Sequence, residues 1–269
     1  MNKESIIYQS VRSCYYGIKN APHNFQRYLD TRSIKKYHNK HLEQTCFIVG
    51  NGPSMTFDDL NRIKELDLPS FACNKVFLAF NNTKWRPTYY FASDTKILAD
   101  VDMNKIGIPL NNMFFPRRFI NDINNRKCNY YETLAHDWLH SDEFSTDAYK
   151  GVYGRETIII EALQLTYYMG FSKVYIIGVD FNYNMKSVDK KNLTFENGEN
   201  NYFIKDYAKK GEVLNLPNQD ANILGFQAAR KAFEDDGREI YNATRGGKLE
   251  VFIRKDLDEV FKEIERTKS

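Results

Sequence analysis

The sequence is sparing in the residues that mark specialised folds. Its four cysteines, Cys14, Cys46, Cys73 and Cys128, include no CxxC pair, which argues against a zinc ribbon or a redox dithiol and fits a reducing compartment. No apolar run approaches the roughly 18 residues that a membrane-spanning helix needs. The opening MNKESIIYQSVRSCYYGIKN also lacks the apolar centre of a signal peptide. The expectation is a soluble cytoplasmic chain without a transmembrane segment, for which the sequons at Asn81, Asn192 and Asn242 carry no meaning. Charge of one sign is not in excess: 38 basic residues against 35 acidic ones leave a formal +3, which gives no signal for nucleic acid. Internal repeats and low-complexity tracts are absent, and no histidine follows His140.

What is abundant is aromatic. Tyr and Phe number 18 and 19, and aromatics reach 14% of the chain; mixed with many asparagines they suit a polar cleft whose walls stack on flat or sugar-like faces. A chain of 269 residues fits one large α/β domain with elaborations. Residues 1–43 read as a helical N-terminal extension, and its basic character makes peripheral contact with a membrane or a partner the alternative to a solvated helix. Residues 44–269 read as a single α/β nucleotide-sugar-binding domain.

Within that domain, TCFIVG and KVYIIGVDF are nearly continuous apolar strands, and PSFACN, TYYFASD and REIYNAT read as further strands. Helices are expected over TFDDLNRIKEL, with Thr56 as N-cap and Asp58 and Asp59 in the first turn, over RETIIIEALQLTYYMG, stopping at Gly170, and over ILGFQAARKAFEDDG and RKDLDEVFKEIER. Strands alternating with helices predict a mostly parallel sheet covered on both faces, a Rossmann-like arrangement. The polar stretch at about 182–218 is too rich in Asn, Lys and Gly for a core element and reads as a lid or active-site loop.

In an open parallel sheet, ligands bind beyond the carboxyl ends of the strands. Those ends carry Asn51 and Ser54, Asn74, Ser93 and Asp94, Asp180 and Asn182, and Asn242 with Thr244. One such residue is ordinarily a turn or cap, but five polar strand ends on one edge point to a ligand site. The join Gly50-Asn51-Gly52-Pro53-Ser54 reads as a cradle for a phosphate or nucleotide: glycines for close approach, proline for stiffness, Asn and Ser for contacts. It is neither GxGxxG nor GxxxxGK[ST].

Other motifs carry less. HDWLH sets His136 and His140 one helical turn apart, with Asp137 where a zincin has Glu, and reads as a partly exposed helix. The DVD at Asp100 to Asp102 resembles a metal-holding DxD but reads as a solvated acidic turn; Asp94 is the stronger residue for a divalent ion. Arg117, Arg118 and Arg155 suit phosphate or a carboxylated sugar, with surface solvation as the bland alternative.

GNGPS, then CNK, then GVYGRETIIIEALQLTYYMGFSKVYIIGVDF, resembles the domain of the motility-associated flagellin glycosyltransferases, also seen in 6-hydroxymethylpterin diphosphokinase, and similar in turn to the bacterial sialyltransferases of lipooligosaccharide synthesis. The likeness runs from about Thr45 to about Phe252. It implies a sialyltransferase-like variant of the GT-A fold, in which Gly50, Asn51, Gly52, Pro53, Ser54 and Asn74 hold the CMP part of a CMP-sugar. Thr157 matches a nucleotide or donor-sugar contact, although Ile158 and Ile159 stand where those enzymes have Ser and Gly. Gly178, Val179, Asp180 and Phe181 match a Gly-Ile-Asp-Phe strand end, and Asn182, with Tyr183 beside it, replaces a phosphate-binding Tyr.

The general-base histidine of the sialyltransferases has no counterpart in Pro217-Asn218-Gln219-Asp220, ahead of a helix expected to begin near Asn222. Asp94, Asp180, Asp206 and Asp220 are then the acids for that role, and Tyr183, Tyr202 and Tyr207 the phosphate donors. The resemblance implies a glycosyltransferase that takes a nucleotide-activated, CMP-linked acidic sugar to a glycan or glycolipid acceptor, with no required cofactor and a divalent ion at Asp94 as the variant. Homo-oligomerisation is compatible with it. The alternatives are an ATP- and magnesium-dependent pterin diphosphokinase and a non-catalytic nucleotide-binding module.

Overall fold

The computed structural model describes residues 25–94, 97–98, 102–137, 140–182, 186–187, 192–194, 201–205, 207, 213–215 and 217–268. Its centre is an eight-stranded sheet in the order β13-β12-β8-β1-β2-β3-β4-β5, every neighbouring pair parallel. The strands are β1 (Thr45–Val49), β2 (Ser70–Cys73), β3 (Tyr89–Phe91), β4 (Met113–Pro116), β5 (Asn129–Tyr131), β8 (Lys173–Ile177), β12 (Glu239–Asn242) and β13 (Ile253–Arg254). The four main helices are α1 (Phe57–Glu65), α2 (Ile158–Tyr168), α3 (Gln219–Asp235) and α4 (Leu257–Lys268).

The period-two alternation of the strands divides the core into two layers. Phe47, Val49, Ala72, Tyr90, Phe115, Tyr175 and Ile177 face one side, where Leu60 and Ile63 of α1 and Val260 and Phe261 of α4 cover them. Cys46, Ile48, Phe71, Tyr89, Phe91, Phe114, Val174 and Ile176 face the other, beneath Leu163 of α2 and Phe226, Ala229 and Phe233 of α3. Burial on both faces explains why β1 and β8 read as unbroken apolar runs. Tyr37, from the 3₁₀ helix Arg32–Tyr37 ahead of β1, joins the second layer and meets Phe114 edge-on at 4.8 Å. Cys46, Cys73 and Cys128 are buried and unbridged.

Local signals account for the helix ends. Thr56 and Asp59 form a reciprocal capping box at α1, and Gly170 and Gly237, with φ of +89° and +68°, close α2 and α3 in the left-handed region. α3 starts at Gln219 under an Asn218 cap, three residues ahead of the expected start at Asn222, because the Asn218 side chain accepts from Ala221 N at 2.9 Å. In the first turn of α2 the buried Glu161 carboxylate accepts from the Tyr131 hydroxyl, and burial pushes its pKa up.

Three expectations change. β4, β5 and β13 were not evident in the sequence and extend the sheet at both edges. The HDWLH stretch is not helical over its described residues: β6 (Thr133–Leu134) pairs in parallel with β7 (Val152–Tyr153), and that ladder takes the backbone bonds just ahead of His136. The 182–218 stretch holds a small antiparallel sheet of β9 (Lys186–Ser187), β10 (Asn192–Thr194) and β11 (Val213–Asn215). Asp100, Tyr183 and Asp206 lie outside the described residues. No described helix is long and apolar enough to cross a membrane.

Asp59 does two jobs. Besides capping α1, its 4% exposed side chain takes both guanidinium nitrogens of Arg245, at 2.7 and 2.9 Å, tying α1 to the loop after β12. Thr56→Ala should therefore cost about 1 kcal/mol. Asp59→Ala should cost about 2 kcal/mol, because it removes the acceptor of the Thr56 N–H and leaves Arg245 with Asp258 at 3.5 Å as its remaining ion pair. Urea denaturation of the two variants checks that order.

Candidate functional site

Chain direction sets the location of the site. From β1 the sheet grows through β2, β3, β4 and β5 to one edge, while β8, β12 and β13 fill the other side of β1. The switch between β1 and β8 opens a crevice at their carboxyl ends. A cleft of ≈ 970 Å³, counting the part open to solvent, lies there.

The loops after β1 and β8 touch so closely that only glycine fits. A Cβ on Gly50 would stand 2.2 Å from the Gly178 carbonyl oxygen, and one on Gly52 1.9 Å from Asp180 Oδ2. The backbone joins them as well, Gly52 N donating to Gly178 O at 2.9 Å. The close approach that the glycines permit is therefore between two strand ends, and ligand approach is not what requires them. Asp180 Oδ2 accepts from Ser54 Oγ at 2.9 Å and its carboxylate also takes the Ser54 backbone N–H, so the GNGPS turn cradles the protein's own carboxylate. Burial raises the Asp180 pKa, an effect that the Ser54 hydrogen bonds partly offset.

Asn51 and Asn74 follow the neighbouring strands β1 and β2. Asn51, 8% exposed, donates from Nδ2 to Cys73 O at 3.1 Å and Tyr207 OH at 3.3 Å, while its Oδ1 is buried without a partner. Asn74 Oδ1 is likewise buried and unpartnered, on a residue held at φ +55°. Both residues line the cleft, so it contains two acceptors awaiting donors. Burial pushes the adjoining Cys73 thiol up to about 12.

Thr157 is the N-cap of α2, and Thr157, Ile158 and Ile159 line the cleft, which turns the positive end of that helix toward it. No side chain caps the helix start. Glu156 also lines the cleft and accepts from Asn218 N, linking the starts of α2 and α3. Among the described lining residues the carboxylates of Glu156 and Asp180 are the ionic side chains; Lys, Arg and His are absent. The remaining wall is the 201–207 segment: Phe203 N donates to Asn51 O at 3.2 Å, and Tyr202 stacks on the buried Tyr207 with centroids 3.9 Å apart.

Gly50, Asn51, Gly52, Pro53, Asn74, Thr157, Gly178, Asp180, Asn182 and Tyr202 thus share one cleft, with Ser54 holding Asp180 from behind. Thr244 sits one step back, its Oγ1 accepting from Val179 N at 3.2 Å, and Asn242 is wholly buried, donating to Leu249 O. Asp94 and Asp220 are exposed and lie outside the lining, the latter in the first turn of α3. Arg117 pairs with Asp30 at 3.0 Å, Arg118 donates to Ser93 O and Arg155 to Ser141 O, so the three arginines serve neighbouring loops. No group of three or more metal-ligating side chains converges among the described residues. Sequence reasoning missed Glu156, Asn201 and Pro217. A helix-leading Glu and a loop Asn have no pattern that sets them apart, and their place depends on how α2, α3 and the 201–207 segment meet.

A fully parallel sheet with a polar cleft at its switch point defines the Rossmann-like class of α/β proteins. Within that class the chain belongs to the 6-hydroxymethylpterin diphosphokinase MptE-like family, whose model matches residues 18–186. Among solved structures it is similar to the MAf glycosyltransferase from Magnetospirillum magneticum AMB-1, with 16% identity and a TM-score of 0.48. That match covers 90% of this chain and 42% of the other, so the chain spans less than half of that protein's length. No curated protein matches.

The raised pKa of Asp180 has a definite sign. Ionising a buried carboxyl opposes folding, so its cost is absent below the ordinary value of 3.8 and complete once pH has passed the raised folded value. Asp180→Asn, whose amide oxygen still accepts from Ser54, should match the parent in stability near pH 3 and exceed it at pH 7. Thermal melts of both proteins across that range provide the check. Gly52→Ala should be strongly destabilising, by about 2–4 kcal/mol, since the added methyl has nowhere to go.

Proposed function

We propose that the chain is a transferase that uses a nucleotide-activated sugar, acidic and CMP-linked, to extend a glycan or glycolipid. The observation that carries this reading is the pair of buried, unpartnered acceptors at Asn51 Oδ1 and Asn74 Oδ1, in a cleft at the sheet's switch point. Leaving such groups unpaired costs about 1–3 kcal/mol each, so a ligand with hydroxyl or amine donors, such as a nucleoside, binds there to advantage. The positive end of α2 supplies a place for its phosphate. The resemblance of GNGPS and CN to the CMP-binding segments of sialyltransferases supports the same assignment.

In this reading the acceptor hydroxyl attacks the anomeric carbon as the bond to the nucleotide phosphate breaks, and a cleft carboxylate takes the hydroxyl proton. Asp180 and Glu156 are the carboxylates within the lining. The protein acts as a peripheral or soluble enzyme facing a nucleotide-sugar pool. A second reading, diphosphoryl transfer from ATP to a pterin, draws on the family's own description and on the acidic pair, which would hold magnesium against phosphates.

A thermal-shift series with CMP, CDP, UDP, GDP and ATP, each with and without magnesium, tests both, because a ligand of the native state raises the melting temperature. Stabilisation by CMP without metal is the expected outcome, and Asn51→Ala and Asn74→Ala should abolish it. Stabilisation by ATP with magnesium alone would favour the second reading, and no shift with any nucleotide would count against both.

A further inference from the structure

Tyr202 and Tyr207 are the one stacked tyrosine pair at the described cleft, and they do not act alike. Tyr207 is buried, and three contacts fix it: its hydroxyl accepts from Asn51 Nδ2, its carbonyl from Lys75 Nζ at 3.0 Å, and Lys75 Nζ lies 5.7 Å from its ring centroid. Tyr202 is only half-buried, lines the cleft, and lies on Tyr207 with 17° between the ring planes. The segment cannot swing freely, since Phe203 N is bonded to Asn51 O and the Phe203 ring packs on Phe57 at 5.7 Å. The Tyr202 ring is thereby held at a set angle to Tyr207 in the cleft that Asn51 also lines.

A ring with its tilt fixed from behind suits a flat ligand better than it suits a phosphate, which would take only the hydroxyl. We infer that Tyr202 is the stacking platform for the heteroaromatic base of the donor nucleotide, with Tyr207 as its backing. Because every base has a π-face, the platform adds affinity for any base, and the Asn51 and Asn74 acceptors in the same cleft choose among them. This assignment rests on the nucleotide-binding reading above and replaces the expectation of Tyr202 as a phosphate donor.

The test is calorimetric titration of the full chain and its Tyr202→Phe, Tyr202→Leu and Tyr202→Ala variants with CMP, with ATP and magnesium, and with ribose 5-phosphate as the baseless probe. The unliganded melting temperature of each variant serves as the folding control. Stacking on an aromatic ring changes affinity on the order of tenfold. The expected result is nucleotide affinity kept within about twofold in Tyr202→Phe and lowered about tenfold in Tyr202→Leu and Tyr202→Ala, with ribose 5-phosphate binding unchanged throughout.

Equal nucleotide binding by all four proteins would overturn the platform and leave the nucleotide reading standing. Loss in Tyr202→Phe would assign the contact to the hydroxyl, and retention in Tyr202→Leu would assign it to simple apolar packing; either overturns stacking. Absence of nucleotide binding by the parent protein would remove both the reading and the platform.

Discussion

The structure depends on the contact between the ends of β1 and β8. Gly50 and Gly52 lie against Gly178 and Asp180 at distances that leave no room for a single methyl group, so the two loops form one surface. That surface is the floor of the cleft. Its second fastening comes from the far side: Lys248 N donates to Asp180 O at 2.7 Å, and Thr244 takes the Val179 N–H. The turn pinned in this way holds Phe181 at φ +52°, a backbone state that an aromatic residue adopts only under constraint. A site anchored at both strand ends keeps its polar atoms in place without a ligand to organise them.

The electrostatic consequence bears on the proposed binding of a phosphate. The Gly-rich turn, whose N–H and hydroxyl groups would cradle an anion, already holds the Asp180 carboxylate. The arginines near the cleft are engaged with neighbouring loops, and the ionic groups of the described lining are acidic. Favourable potential for an anion must then come from the start of α2, where Thr157 leads an uncapped helix end into the cleft. Ile158 and Ile159 stand where the sialyltransferases that the sequence resembles have Ser and Gly, so backbone rather than side-chain groups are available at that end. The wall opposite is aromatic, from the 201–207 segment, and suits the base end of a nucleotide more than its phosphate end.

Much of this was legible in the amino-acid order. TCFIVG and KVYIIGVDF announce themselves as central strands because both of their faces are buried, and α1 is bounded by its Thr56–Asp59 capping box. Strand-end polarity pointed to β1, β2 and β8, and Asn51, Asn74, Asp180 and Asn182 line one cleft at those ends. The same rule pointed equally to Asp94, which is exposed, and to Asn242, which is sealed inside a turn. Polarity at the end of a strand is a local property. Whether a ligand reaches it depends on distance from the switch point.

The sequence by itself determined the class: a parallel α/β sheet with helices on both faces, because hydrophobic periodicity and caps act within a few residues of one another. It also determined that glycine would stand at positions 50, 52 and 178. Only the tertiary structure decided what those glycines are for, which carboxylates face the cleft, and that Tyr202 lies flat on Tyr207. Each of these rests on contacts between segments more than a hundred residues apart, the tyrosine pair through the bonds of Phe203 and Tyr207 to Asn51. Residue type alone carries no record of such distances, so Glu156 and Asn201 became visible only when α2 and the 201–207 segment closed over the strand ends.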